Sequence, residues 1–235
     1  MVLQAPVKGI FFDLGWTLLY PASGDWMLTH KVMELLDQQA LKELPRERLI
    51  AATHAALGTF RNDVVYLTEA EELERNVEFY STFARLLPEL SVTPAAVMEM
   101  ANDRVYNTKH NYILFPDTIA TLQALRGQYK LGIISDTDPS VLAYLANTGL
   151  GEYFDCVTYS FAVGAIKPDA KLYTHALAAM GLPPQQTVFI DDLSRNLDGA
   201  ARHGIQGVQA ATHADSPLDS RYHSIQSPGG LLQLL

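Results

Sequence analysis

Five short apolar runs along the chain predict buried β-strands. Each run is nearly continuous in hydrophobic residues, as expected for parallel strands that helices cover on both faces. The runs are VKGIFF at 7–12, LGIIS at 131–135, DCVTYS at 155–160, TVFID at 187–191 and IQGVQA at 205–210.

Segments with helical spacing separate these runs in the second half of the chain. Several of them end at a glycine, the residue that most often follows the last turn of a helix. They cover residues 117–127, 139–149, 168–181 and 194–204. Strands that alternate with helices predict an α/β fold with a doubly wound, Rossmann-like parallel sheet.

The segment 25–107 interrupts this alternation, because its helical patterns follow one another with no strand run between them. Thr68 and Glu71 have the spacing of a capping box, and Thr93 before Pro94 is typical of a helix start. The predicted helices are Asp25–Leu44, Arg46–Asn62, Thr68–Leu87 and Thr93–Asn107. The third helix carries an apolar stripe that we interpret as core packing: Leu73, Val77, Tyr80, Ala84 and Leu87. An all-helical insertion after the first strand predicts a cap domain over an active site.

Composition narrows the possible functions. A formal net charge of −9 argues against a nucleic-acid-binding protein, because phosphate backbones require a basic surface. The single cysteine, Cys156, rules out an intramolecular disulfide and a cysteine-based zinc site. Residues 1–8 lack the pattern of a secretory signal, and no apolar run approaches the roughly 20 residues that span a membrane. We therefore expect a cytoplasmic protein with no nucleic-acid or membrane partner.

Polar residues fall at or just beyond the ends of several predicted strands, where open parallel sheets bind ligands. Each has an ordinary alternative role as a helix cap, a turn residue or a solvated side chain. Together, however, they supply a nucleophile, a hydroxyl and an ammonium group for phosphate oxygens, and carboxylates for a metal ion. The residues are Asp13 with Thr17, Ser135, Lys167, and the group Asp191, Asp192 and Asn196.

The chain resembles the haloacid dehalogenase superfamily over nearly its whole length. The combination of FFDLGWTLL, LGIISD, GAIKPD and FIDDLSRNLDGA carries the resemblance, which is closest to members with a helical cap between the first two motifs. It implies an α/β catalytic core formed by residues 1–20 and 111–235, and a helical cap domain formed by residues 21–110.

The resemblance also implies roles in phosphoryl transfer. Asp13 would be the nucleophile that forms an aspartyl-phosphate intermediate on a small phosphate ester. Ser135 and Lys167 would bind the transferring phosphoryl group, and Lys167 would also restrain Asp13. Thr17 would hold the turn after the first strand. The implied substrate is a small anion.

A magnesium ion is the implied cofactor. Asp13, the backbone carbonyl of Gly15 and Asp192 would bind it, with Asn196 and Asp191 in support. Mg²⁺ prefers a few carboxylates together with waters and substrate oxygens, and it neutralises charge that would repel an anionic nucleophile.

Gly15 is the main departure from the family pattern. Phosphatases of this family usually carry a second aspartate at this position, which protonates the leaving group and then activates water. General acid–base catalysis typically contributes about 10²–10⁴-fold to the rate, so its loss would be serious without abolishing activity. Asp136 or a residue of the cap would be a candidate replacement.

Three interpretations are open at this point. The first is a magnesium-dependent phosphatase that lacks its usual acid and base. The second is a metal-free 2-haloacid dehalogenase, in which Asp13 attacks carbon; those enzymes usually have tyrosine at the position of Gly15 and asparagine at that of Asp136. The third is a non-enzymatic member that binds a partner through its cap.

Overall fold

The computed structural model divides into two compact units. The structure describes residue 3 and residues 6–58, 66–213 and 217–235. Unit 1 comprises Met1–Tyr20, Leu114–Thr137 and Leu145–Leu235, and unit 2 comprises Pro21–Ile113 and Asp138–Tyr144. Each unit has its own hydrophobic core.

Unit 1 is built on a parallel sheet of six strands in the order β5-β4-β1-β6-β7-β8, and β2 pairs with β3 in a separate two-stranded sheet. The strands are β1 (Gly9–Phe12), β2 (Leu19–Pro21), β3 (Tyr112–Leu114), β4 (Lys130–Ser135), β5 (Cys156–Tyr159), β6 (Thr187–Asp191), β7 (Gln206–Ala210) and β8 (His223–Ile225). The predicted doubly wound α/β fold is confirmed, with β1 near the centre of the sheet.

Each helix that the sequence predicts has a counterpart in the structure, and two four-residue helices at Thr108–Asn111 and Ser160–Val163 were not predicted. They are α1 (His30–Leu35), α2 (Gln38–Glu43), α3 (Arg46–Leu57), α4 (Glu69–Leu86), α5 (Pro94–Tyr106), α6 (Thr108–Asn111), α7 (Thr118–Leu125), α8 (Val141–Thr148), α9 (Ser160–Val163), α10 (Ala170–Met180) and α11 (Ser194–Arg202). None of the helices formed by the described residues has the length and hydrophobicity that crossing a bilayer requires.

Helices α10 and α11 cover one face of the sheet in unit 1. Leu172 and Tyr173 of α10 and Leu197 of α11 belong to the same buried cluster as Phe11 of β1 and Phe189 of β6. Successive residues of a strand point to opposite faces, so the neighbours of Phe11 and Phe189 point to the other face. Those neighbours are also fully buried, which explains why these strands are apolar throughout.

Unit 2 is a helical unit with a core of its own. The capping box predicted at the start of α4 is present, since Thr68 and Glu71 bond to each other's backbone N–H groups. Thr93 caps α5, with proline at its first position. The predicted stripe on α4 packs into this core, where Tyr80 and Leu87 are buried and the others are partly buried.

One predicted helix of unit 2 is divided in the structure, and another is described only in part. The helix predicted over 25–44 is two short helices, because the side chain of Asp37 accepts hydrogen bonds from the backbone N–H groups of residues 39 and 40 and starts α2. The helix predicted to begin at Arg46 is observed to Leu57. The rest of that prediction, over 59–62, lies outside the described residues.

The division into units differs at two places from the one that the resemblance implies. Unit 2 extends to Ile113 instead of ending at residue 110, and residues 138–144 group with unit 2, although they follow β4 in sequence. Fully buried Glu72 accepts hydrogen bonds from the backbone N–H of Ser140 at 2.8 Å and from its hydroxyl at 2.7 Å. Arg75 forms an ion pair with Asp138 at 2.7 Å. These contacts attach residues 138–144 to α4 of unit 2, although local sequence patterns assign the segment to the α/β core.

Candidate active site

Four of the predicted polar residues lie at the ends of three neighbouring strands of unit 1. Asp13 directly follows β1, Ser135 is the last residue of β4, and Asp191 is the last residue of β6, with Asp192 next to it. Because β1 pairs in parallel with both β4 and β6, these strand ends meet at one edge of the sheet. Open parallel sheets bind their ligands at this edge.

Lys167 precedes α10, and its ammonium group reaches these residues. Nζ lies 2.9 Å from Oδ1 of Asp13, 2.7 Å from Oδ2 of Asp191 and 3.5 Å from the carbonyl oxygen of Ile134. The lysine side chain is 2% exposed, so these contacts take the place of water. Burial alone would lower the pKa of Lys167, but the neighbouring carboxylates outweigh this effect and raise it. The ammonium group therefore stays charged.

Asp13 is buried, and its backbone N–H donates to the carbonyl oxygen of Ile190 at 2.9 Å. Burial raises the pKa of Asp13 to about 6, against the lowering effects of Lys167 and of a hydrogen bond from the Ser135 hydroxyl. An ionised carboxylate between an ammonium group and a hydroxyl is suited to nucleophilic attack, because it needs no separate base.

Asp191 is fully buried and is held on several sides. Its Oδ1 accepts from the backbone N–H of Leu193 at 2.8 Å and from Nδ2 of Asn196 at 2.9 Å. Its Oδ2 accepts from Lys167 and, at 3.1 Å, from the same amide of Asn196. Oδ1 of Asn196 is buried and has no hydrogen-bond partner among the described residues. The turn from β6 to α11 is thus rigid and offers one further oxygen to a ligand.

The carboxylates of Asp13, Asp191 and Asp192 form a cluster that fits a divalent cation. Each offers one oxygen, and these oxygens lie within 4.8 Å of one another. Burial, Asp13 and Asp191 together raise the pKa of Asp192 to about 8. A bound cation would remove this mutual repulsion, and Mg²⁺ takes oxygen ligands of this kind. The donor set therefore suits the ion that the resemblance implies.

The turn after Asp13 is held by its backbone. The N–H groups of residues 17, 18 and 19 donate to the carbonyl oxygen of Leu14 at 3.3, 2.9 and 3.0 Å. The hydroxyl of Thr17 is buried and has no hydrogen-bond partner among the described residues. Trp16, and not Gly15, has a positive φ of 50°. Left-handed backbone is uncommon for a residue other than glycine.

Asp136 lies beyond the end of β4 and is engaged with the chain around Lys167. Its Oδ1 accepts the backbone N–H of Lys167 at 2.9 Å. Burial raises the pKa of Asp136, against the lowering effect of the Lys167 charge. Its observed contact fixes the segment that carries the lysine.

The loop that follows β7 also lies at this edge of the sheet, and the sequence motifs do not indicate its role. Nε2 of Gln209 donates a hydrogen bond to the backbone carbonyl oxygen of Asp192 at 3.1 Å. The hydroxyl of Thr212 donates a hydrogen bond to the backbone carbonyl oxygen of Trp16. The imidazole of His213 lies against Trp16, with the ring centroids 4.3 Å apart. The strand predicted at 205–210 could have indicated this loop, because a parallel strand ends at the same edge of the sheet as its neighbours.

Comparison with known proteins gives a family and several relatives. The model of the haloacid dehalogenase-like hydrolases matches residues 7–204. The glyceraldehyde 3-phosphate phosphatase of Methanopyrus kandleri is 27% identical over 212 residues, which cover 86% of this chain and 83% of that protein. The GMP/IMP nucleotidase YrfG of Escherichia coli is 34% identical over 113 residues, which cover 47% of this chain and 51% of that protein.

Among solved structures, the HAD-hydrolase YfnB from Bacillus subtilis, bound to magnesium, has the same fold. It superposes with a TM-score of 0.69 at 15% identity, over 98% of this chain and 99% of that one. The family match spans most of the sequence and includes every residue of the sheet edge from Asp13 to Asp192. The chain therefore belongs to the haloacid dehalogenase-like hydrolases.

Proposed function

We propose that this hydrolase is a magnesium-dependent phosphatase that acts on a small phosphate ester through an aspartyl-phosphate intermediate. The observation that carries the proposal is the buried ammonium group of Lys167, which lies 2.9 Å from Asp13 with Ser135 beside the same carboxylate. Relatives that are phosphatases support a phosphate ester as the substrate class.

Asp13 is the nucleophile in this proposal. One of its carboxylate oxygens forms a bond to phosphorus while the bond from phosphorus to the leaving oxygen breaks. Lys167 and Ser135 bind the equatorial oxygens of the phosphoryl group, where charge is concentrated in the transition state. Water then attacks phosphorus, releases inorganic phosphate and regenerates Asp13.

Asp13, Asp192 and the carbonyl oxygen of Gly15 would hold Mg²⁺, and Asp191 and Asn196 would support it. When bound, the ion neutralises charge between the nucleophile and the phosphate group. Asp191 is well placed for a supporting role, because Lys167 and Asn196 already occupy its oxygens. The cytoplasmic location and the absence of nucleic-acid and membrane partners stay predictions from the sequence.

The 2-haloacid dehalogenase interpretation has one observation in its favour, the absence of the second aspartate at position 15, although the glycine there also differs from the tyrosine that dehalogenases usually carry. A dehalogenase needs no acid there, because halide leaves without a proton. Lys167 compensates Asp13 and Asp191, but Asp192 adds a third carboxylate within 4.8 Å of them. This additional negative charge favours the phosphatase, because a divalent cation would neutralise it.

A substrate screen tests the proposal. Purified protein is incubated with glyceraldehyde 3-phosphate, phosphoserine, nucleoside monophosphates and 2-chloropropionate, each with Mg²⁺ and with EDTA. We expect phosphate release that requires Mg²⁺ and is lost in Asp13→Asn. Halide release in EDTA would instead establish the dehalogenase, and turnover of neither class would overturn the proposal. Asp169→Asn is the matched control, because asparagine can replace this exposed helix cap.

A further inference from the structure

The proposed phosphatase reaction needs a proton donor and acceptor that position 15 does not provide. Glycine has no ionisable side chain. Asp136 is a neighbouring carboxylate, but its Oδ1 accepts the backbone N–H of Lys167 at 2.9 Å. Asp192 belongs to the carboxylate cluster that suits the cation. Histidine is the residue type that most often transfers protons near neutral pH.

Unit 1 contains four histidines, and the topology separates one of them from the others. His175 lies within α10 and bonds to the Thr158 hydroxyl at 2.9 Å. His203 follows α11 and stacks on a tyrosine ring of α10. His223 begins β8, at the amino end of a parallel strand. His213 follows the carboxyl end of β7, so it alone among the four lies beyond the sheet edge that holds Asp13.

Two hydrogen bonds tie the loop of His213 to the active-site turns. Gln209 donates to the carbonyl oxygen of Asp192, and Thr212 donates to the carbonyl oxygen of Trp16. Trp16 is the residue directly after Gly15. The loop after β7 is therefore anchored at the residue next to the position where the family usually carries its acid.

The His213 ring is held beside the same turn. Its centroid lies 4.3 Å from that of Trp16, at an interplanar angle of 57°. Trp16 has a φ of 50°, a left-handed conformation that costs a tryptophan free energy and that commonly marks functional sites. This backbone conformation and the hydrogen bond from Thr212 together fix the position of the Trp16 backbone beside the imidazole of His213.

We propose that His213 is the general acid and base of this enzyme, in place of the carboxylate that Gly15 lacks. The proposal rests on the phosphatase function argued above. In the first step, Asp13 bonds to phosphorus, the bond to the leaving oxygen breaks, and the imidazolium of His213 gives its proton to that oxygen. In the second step, neutral His213 takes a proton from the water that attacks phosphorus, the bond from phosphorus to Asp13 breaks, and inorganic phosphate leaves.

Leaving-group dependence tests this role, because alkyl oxygens need a proton to leave and aryl oxygens with low pKa values do not. His213→Phe keeps an aromatic ring against Trp16 but cannot transfer a proton. We expect kcat/KM on alkyl phosphates to fall by about 10²-fold or more in this variant, and kcat/KM on 4-nitrophenyl phosphate to change by less than about threefold. His203→Phe is the matched control, because His203 follows the carboxyl end of α11 and stacks on Tyr173, away from the sheet edge that holds Asp13.

A second substitution separates proton transfer from packing. Adding Gly15→Asp to His213→Phe restores a carboxylate and should recover at least about tenfold of the lost activity on alkyl phosphates. Equal losses on both substrate types, or full activity of His213→Phe on alkyl phosphates, would show that His213 only packs. A wild-type enzyme that hydrolyses aryl but not alkyl phosphates would also refute the proposal. Wild-type protein that hydrolyses neither ester overturns the phosphatase function itself, and this inference with it.

Discussion

Lys167→Met should destabilise the protein by about 3–5 kcal/mol at pH 8, the usual cost of removing one partner from a buried ion pair. The lysine side chain is 2% exposed, and its Nζ lies 2.9 Å from Asp13 and 2.7 Å from Asp191. At an effective dielectric constant of about 20, each contact at this separation corresponds to roughly 6 kcal/mol of attraction before desolvation is subtracted. Methionine fills a similar volume but leaves two buried carboxylates without a cation between them.

The loss should increase with pH. Burial raises the pKa of Asp13 to about 6, and Lys167 holds it below the value that burial alone would give. Without the ammonium group, the pKa of Asp13 rises further, so the folded variant retains a proton that both the unfolded chain and the folded wild type release. Above pH 6, the variant therefore loses stability relative to wild type by up to about 1.4 kcal/mol per pH unit.

Urea unfolding in EDTA at pH 5.5, 6.5 and 8 measures this effect. On a Trp26→Phe background, tryptophan fluorescence reports Trp16 and hence unit 1. Lys171→Met, at an exposed lysine of α10, should cost less than about 0.5 kcal/mol. Adding Asp191→Asn to Lys167→Met should recover at least half of the loss, because it removes one of the unpaired charges. A loss below about 1 kcal/mol at pH 8, or one that is equal at all three pH values, would refute the reasoning.

Three further substitutions test other parts of the structure. Asp192→Asn should weaken Mg²⁺ binding, measured by calorimetry, by more than about tenfold, whereas the control Asp169→Asn should bind Mg²⁺ like wild type. If Asp192→Asn and wild type bind Mg²⁺ with equal affinity, Asp192 is not a ligand. Burial raises the pKa of Glu72 to about 6, so ionising it costs stability as pH rises from about 4.5 to 6. Wild type should therefore lose about 2 kcal/mol relative to Glu72→Gln between pH 4.5 and 7 in urea unfolding, and a constant difference would contradict this. Gly199→Ala would place a Cβ 2.6 Å from the hydroxyl of Tyr173 and should lower the free energy of unfolding by about 1–3 kcal/mol; unchanged stability would mean that α10 and α11 can separate freely.

Local patterns account for most of the fold that the sequence predicts. Apolar runs and helical spacing are properties of a few consecutive residues, and they identified the five principal strands and their intervening helices. The split of the first predicted helix at Asp37 was missed, because the cap there depends on one side chain that accepts two backbone N–H groups. The membership of 138–144 in unit 2 was also missed, since Ser140 bonds to Glu72, which lies 68 residues away in sequence.

Some features of the candidate site could likewise be predicted from the sequence, and others only from the structure. The motifs indicated which residue types to bring together, and parallel strands require their carboxyl ends to share an edge. The resemblance implies that Lys167 restrains Asp13, but the sequence does not indicate that its ammonium group also contacts Asp191, because that contact depends on the conformation of the loop before α10.

By itself, the sequence determined the α/β class, the helical insertion and the polar residues at the strand ends, because each follows from local periodicity or from a contiguous motif. Only the tertiary structure decided the strand order β5-β4-β1-β6-β7-β8, the clustering of three carboxylates and the approach of His213 to Trp16. These features depend on pairing and packing between residues that are far apart in the chain. Trp16 and His213 are separated by 197 positions (213 − 16), and no short-range pattern carries information over that distance.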